Sequence, residues 1–151
     1  MSLASSPLQT LDAVDLAEAL RPALLRVSRR LRQEAHKAGL SAQDSILLAT
    51  VKMTPGVGVS ALAEAEQTSR PTMSGHMKRL EAAGLVTRGG VAEDGRRCGF
   101  TITPAGARKL DQIRLRRNDW LARRLAKLDP AERAELAAAA AALLKLASVA
   151  P

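Results

Sequence analysis

The stretch VSALAEAEQTSRPTMSGHMKRLEAAGLVTR, residues 59–88, decides the fold. Its apolar residues fall at helical spacing in two separate groups, which predicts two short helices, about Ser60–Ala65 and Ser69–Ala83. In the second, Met73, Met77 and Leu80 share one face and pack inward, so Arg70, Thr72, Gly75, His76 and Arg79 point outward. Ser69 stands where an N-cap accepts the orphan amides of the first turn, and Gly84 where the chain turns left-handed to leave the helix. The outward set is rich in donors, small near its middle and free of carboxylates; Glu81 comes only at the far end. Leu85–Arg88 then reads as a β-strand.

Working outward, Gly99–Ile102 is a second β-like run, and Gly89 to Arg97 between the two predicts a hairpin whose tip presents Asp94, Arg96 and Arg97. Thr103-Pro104 is a cap followed by proline at the first helical position, the start of a long helix carrying Leu110, Ile113, Leu121, Leu125 and Leu128. Asp129-Pro130-Ala131-Glu132 repeats that signal with a capping-box glutamate, opening an alanine-rich helix to about Ala147. Upstream, Leu16, Leu20, Leu24, Val27, Leu31 and Ala35 form one stripe of a helix over Asp12–Ala38, in which Pro22 is expected to cause a kink or an irregular first section and Gly39 a stop. Ser41 caps the next helix, with Asp44 adding charge near its start; it carries Ile46, Leu47, Leu48 and Val51 and ends before Thr54-Pro55-Gly56. The fold class is therefore mainly α with a small β-hairpin wing, in one domain without repeats.

The formal charge of +8 and a pI near 10.8 favour a polyanionic partner. Phe100 and Trp120 are the only aromatic residues, too few for a base-stacking platform on single strands, whereas duplex binding through phosphates and groove edges needs none. The single cysteine, Cys98, excludes an internal disulfide framework, and no secretory signal or membrane-spanning run is legible, so a cytoplasmic location and no membrane partner are expected. Nothing resembles a nucleophile–base pairing, a phosphate-cradling glycine loop or a metal cluster; no enzyme, cofactor or metal is expected.

Two short helices with a hairpin directly after them form the pattern of a winged helix-turn-helix. The second helix fits the major groove, its amino-terminal end offers amides to a phosphate, and the hairpin reaches the adjacent minor groove. The candidate DNA-binding residues are Ser69, Arg70, Pro71, Thr72, Ser74, His76 and Arg79 on the helix and Arg96 and Arg97 on the wing, where A·T-rich DNA concentrates negative potential. Asp94 holds the wing by pairing with a basic side chain.

At this point residues 59–88, with EDGRR and FTITPAG after them, resemble the multiple-antibiotic-resistance regulator (MarR) family. The Asp-x-Arg wing followed by a strand and T-P-x-G is the more specific part. The resemblance implies a homodimer held by the helices of about 12–38 and 104–148, with a DNA-binding lobe over about 42–103. It also implies two recognition helices on half-sites of a pseudo-palindromic double-stranded operator, and minor-groove reading by Arg96, with Asp94 as structural partner and Arg97 as alternative. Glu66, Gln67 and Thr68 depart from the apolar residue, glycine and branched residue common in that turn.

Arg114 and Arg117 lie on the same face as Leu110, Leu121 and Leu128. Such charges must be paired or reach water, so they are either partnered by a carboxylate across a dimer or form a site for a small anionic or aromatic effector. Cys98 reads as a small residue without a redox role, His36 and His76 as no zinc site, and Trp120 as filling of a dimer core. The function expected is a repressor released by an effector. The alternatives are a non-specific nucleoid protein and an adaptor that has lost DNA binding.

Overall fold

A computed structural model describes residues 12–89 and 99–148. Six helices and one hairpin follow in the order α1 (Ala13–Lys37), α2 (Ala42–Met53), α3 (Val59–Ala65), α4 (Arg70–Ala82), β1 (Val86–Arg88), β2 (Phe100–Ile102), α5 (Pro104–Leu125) and α6 (Pro130–Ser148). Each start has its local cause. The Asp12 carboxylate accepts from the Val14 and Asp15 amides, Ser41 Oγ from Asp44, and Ser69 Oγ from Thr72. Asp129 and Glu132 exchange side-chain-to-backbone bonds of 2.9 Å each, closing the capping box that opens α6. Gly39 and Gly84 leave α1 and α4 at φ +80 and +70.

Pro22 lies inside α1, which stays helical from Ala13 to Lys37. The carbonyl that loses its amide partner, that of Glu18, belongs to an exposed residue and is left to water. The other departure from regular chemistry is Gln67 in the turn between α3 and α4, the sole described residue other than glycine with positive φ, at +48. That turn is where the common pattern has a glycine, and the left-handed backbone persists without one.

The core gathers where α2, α3, α4, the hairpin and α5 meet. Leu47, Leu48, Val51, Leu62, Met73, Met77, Leu80, Val86, Phe100 and Ile113 are all but sealed from solvent. β1 and β2 are antiparallel, with Val86 opposite Ile102 and Arg88 opposite Phe100. Val57 adds an isolated bridge on the other edge of Phe100: the Gly56 amide donates to the Phe100 carbonyl and the Phe100 amide to Val57, both at 2.8 Å. The approach is so close that a Cβ on Gly99 would strike the Gly56 and Val57 carbonyls.

The T-P-x-G motif acquires a physical reason at the root of α5. The Thr103 amide donates to the Leu85 carbonyl (3.1 Å) and its hydroxyl to the Gly84 carbonyl (2.6 Å). The same hydroxyl accepts the Gly106 amide at 3.0 Å. Gly106 is buried against this junction, where an added Cβ would collide with the Leu85 carbonyl and stand 2.8 Å from Ile102 Cγ1. Farther along, α5 ties itself to α1: Lys109 Nζ donates to the Ala38 carbonyl and Arg117 Nε to that of Leu31.

The outer helices are covered unevenly. In α1 only Glu34 and Ala35 are buried, and among the described residues of α6 none is. Leu24 is 42% exposed and Leu144 72%. No described helix is long and apolar enough to cross a membrane.

Candidate nucleic-acid interface

Helix α4 is set by its inward side. Met73 and Met77 are 0% exposed and Leu80 1%, so the opposite face is fixed toward solvent. Arg70, Pro71 and Thr72 are exposed in its first turn, which contains no acidic residue, and Ser74 and Gly75 are half-buried. The cap has donor capacity to spare. Ser69 Oγ accepts from the Thr72 amide at 3.2 Å and lies 2.8 Å from Thr72 Oγ1. One hydroxyl hydrogen is used between the two side chains, which leaves the other for an incoming anion at a helix terminus whose field already favours one. Pro71 at the second helical position has no amide to leave unsatisfied.

Two residues of α4 stand differently from the sequence expectation. His76 is only partly outward: its side chain is 20% exposed, and Nδ1 is turned in to lie 2.6 Å from Oδ1 of Asp44 in α2. Its helical position borders the methionine face, so the ring follows the buried carboxylate rather than the solvent. Lys78, absent from the expected set, is exposed beside Arg79. Helical spacing alone was enough to find it. Asp44 was legible only as a helix-start charge, because its partner lies 32 residues away in sequence.

Arg79 remains largely exposed, with Nη2 3.5 Å from Asp44 Oδ1. At the neck of the wing, Gly89 donates to the Gly99 carbonyl at 3.0 Å and the Arg88 guanidinium lies over the Phe100 ring, 4.8 Å from its centroid. Asp94, Arg96, Arg97 and Cys98 lie outside the described residues.

Behind this surface, α2 and α5 flank an open cavity of about 300 Å³ lined by Ser45, Ala49, Leu110, Ile113, Arg114 and Arg117, among others. The two arginines thus line one space, though they are held differently. Arg117 is half-buried, with Nε donating to the Leu31 carbonyl at 3.2 Å and Nη2 to Ser45 Oγ at 3.5 Å. Among the described residues both of these acceptors belong to its own chain and neither is a carboxylate. Arg114 is exposed and meets Asp111 at 3.5 Å. Trp120 is half-buried beneath the Arg124 guanidinium, 5.1 Å from its centroid.

A capped donor-rich helix, a short helix before it and a hairpin after it, on one core, find close counterparts in known proteins. The MarR family model matches residues 38–97. An HTH-type transcriptional regulator of Mycobacterium tuberculosis is 34% identical over 140 residues, spanning 90% of this chain and 95% of the relative. This chain belongs to the MarR family. The crystal structure of a transcriptional regulator protein from Pseudomonas aeruginosa is 32% identical, with a TM-score of 0.76 over 91% of this chain and 96% of that one. A MarR-family protein of M. tuberculosis, solved in complex with p-aminosalicylic acid, is 27% identical, with a TM-score of 0.62 over 85% and 98%. As a MarR-family member the chain is a DNA-binding transcriptional regulator and not an enzyme.

Proposed function

We propose that this MarR-family regulator is a homodimeric repressor that places one α4 from each protomer in successive major grooves of a pseudo-palindromic operator. The observation that carries the reading is the first turn of α4: a Ser69–Thr72 hydroxyl pair with one hydrogen to spare, exposed Arg70, and no acid, on a helix locked from behind by Met73 and Met77. Ser69, Arg70, Pro71, Thr72 and Ser74 take the phosphate and first base edges, with Arg79 farther along and Arg96 or Arg97 in the minor groove. His76 enters through its remaining nitrogen. Dimerisation is supported by α6, of which no described residue is fully buried within its own chain, and by the uncovered leucines of α1. In proteins most of a helix's stability comes from packing its apolar side, which α6 lacks within this chain.

An anionic or aromatic effector fits the cavity between α2 and α5, where the Arg117 guanidinium supplies charge and Leu110 and Ile113 an apolar wall. The p-aminosalicylic acid complex of the mycobacterial relative supports that ligand chemistry. Binding there shifts the population between dimer states only in proportion to its differential affinity for them.

Selection of bound duplexes from a random pool, followed by titration of the winner against random duplex at moderate salt, tests the central claim. A two-half-site consensus bound at least about a thousandfold more tightly is expected, and equal affinity for both duplexes refutes the reading.

A further inference from the structure

Asp44 is a buried carboxylate for which DNA binding has so far supplied no use. It occupies the third position of α2, 8% exposed, and both of its side-chain partners belong to α4. The geometry around His76 Nδ1 is over-subscribed: Asp44 Oδ1 is 2.6 Å away and Arg79 Nη2 2.7 Å. One ring nitrogen cannot donate to a carboxylate and accept from a guanidinium at once. A nitrogen and a carboxylate oxygen at 2.6 Å need a proton between them. Nδ1 therefore carries the hydrogen and donates to Asp44, while Arg79 is drawn in by the Asp44 charge rather than by the imidazole.

The consequence falls on the other ring nitrogen. No buried side-chain nitrogen or oxygen among the described residues lacks a partner, and Nε2 of His76 has no protein partner there, so Nε2 reaches solvent. In the neutral ring with its proton on Nδ1, Nε2 is an acceptor. The major-groove groups that complement an acceptor are the amino groups of adenine and cytosine; the opposite tautomer would present a donor, suited to guanine or thymine.

We propose that Asp44 is a positioning residue for sequence reading. Without touching DNA it fixes the tautomer and ring plane of His76 and the approach of Arg79, so that α4 selects an amino-bearing base opposite His76. The proposal rests on α4 being the major-groove reader.

The chain has two histidines, so ¹⁵N-labelled full-length protein with His36→Gln leaves His76 as the sole imidazole. Its ring correlations at pH 8 are expected to give the Nδ1–H form, released by Asp44→Ala. In binding to the selected operator and to single base-pair variants of it, Asp44→Ala is expected to lose about tenfold in discrimination at one base pair per half-site. His76→Ala is expected to lose it at the same pair, and the double variant no more than His76→Ala alone. Affinity for random duplex should not fall. If Asp44→Ala does not fold, Asp44→Asn replaces it: its amide oxygen still accepts from Nδ1, so tautomer and base preference should both survive. An Nε2–H ring in the wild type, multiplicative losses, unchanged discrimination, or loss of tautomer and preference in a folded Asp44→Asn would each overturn the proposal. A wild type without operator preference removes the DNA reading, and this proposal with it. A wild type whose preference Asp44→Ala leaves intact removes the proposal alone.

Discussion

The same substitution, glycine to alanine, should have opposite effects at two points, the root of α5 and the middle of α4. At Gly106 the new methyl would enter the junction where Thr103 and Leu85 share a hydrogen bond, colliding with the Leu85 carbonyl and approaching Ile102 Cγ1 to 2.8 Å. Backbone atoms do not turn aside as a flexible side chain does, so α5 must retreat from β1. Overpacking costs about 1–3 kcal/mol, and retreat weakens the two Thr103 bonds to Leu85 and Gly84 at about 1 kcal/mol each. A loss of about 3 kcal/mol is expected, or roughly 10 °C in Tm for a chain of this size. At Gly75, on α4, the new Cβ would meet only Arg79 Nη1, at 3.9 Å. Replacing a mid-helix glycine by alanine there gains about 1 kcal/mol from lower backbone entropy in the unfolded chain, or roughly 3 °C. Both variants are read by thermal and urea unfolding at one protein concentration, since a dimer makes the midpoint concentration-dependent. Equal and small shifts for the two would refute the packing argument. Loss of stability at Gly75 would mean that α4 is not held as described.

Three further outcomes follow from other features. Gln67→Gly removes the left-handed cost borne at φ +48 and should raise stability by about 0.5–1 kcal/mol, while Gln67→Ala should not; urea midpoints decide. Glu34, buried near the end of α1, is held below the usual carboxylate value of 4.5 first of all by its hydrogen bond from Lys37. A depressed folded value stabilises above the unfolded value and is lost as pH falls through the folded one. Glu34→Gln should therefore flatten the decline in the urea midpoint below about pH 4.5, and an unchanged decline would count against the pairing. Arg70→Ala should lower the slope of log affinity against log salt by about one, uniformly across duplex sequences, if its guanidinium neutralises one phosphate. A change confined to one base pair would instead make it a base reader.

The sequence made the helices legible because their ends are local events. Ser41, Ser69, Thr103 and the Asp129–Glu132 box each act within three residues, and the structure places every one of these caps as expected. The inward face of α4 was legible for the same reason, since Met73, Met77 and Leu80 repeat at the helical period. What local spacing could not give was the destination of a side chain at the edge of a face. His76 sits on that border, and only the arrival of α2 decides that it turns to Asp44. Arg117 is similar: its period aligns it with leucines, but its hydrogen bond is to a backbone carbonyl 86 residues earlier, which no pattern of residue types announces.

The root of α5 also determines how the molecule can move. Thr103 grips the carbonyls of Gly84 and Leu85, the residues just past the Ala83 cap of α4, while β2 runs straight into it. Helix, hairpin and the first turn of α5 therefore travel as one piece, with α5 as a lever about 33 Å long at the usual rise per residue. A tilt of about 10° at its Leu125 end swings the lobe by about 6 Å, nearly two base-pair steps along the duplex. Small angular changes among the outer helices thus become displacements large enough to take α4 out of register with the groove proposed for it.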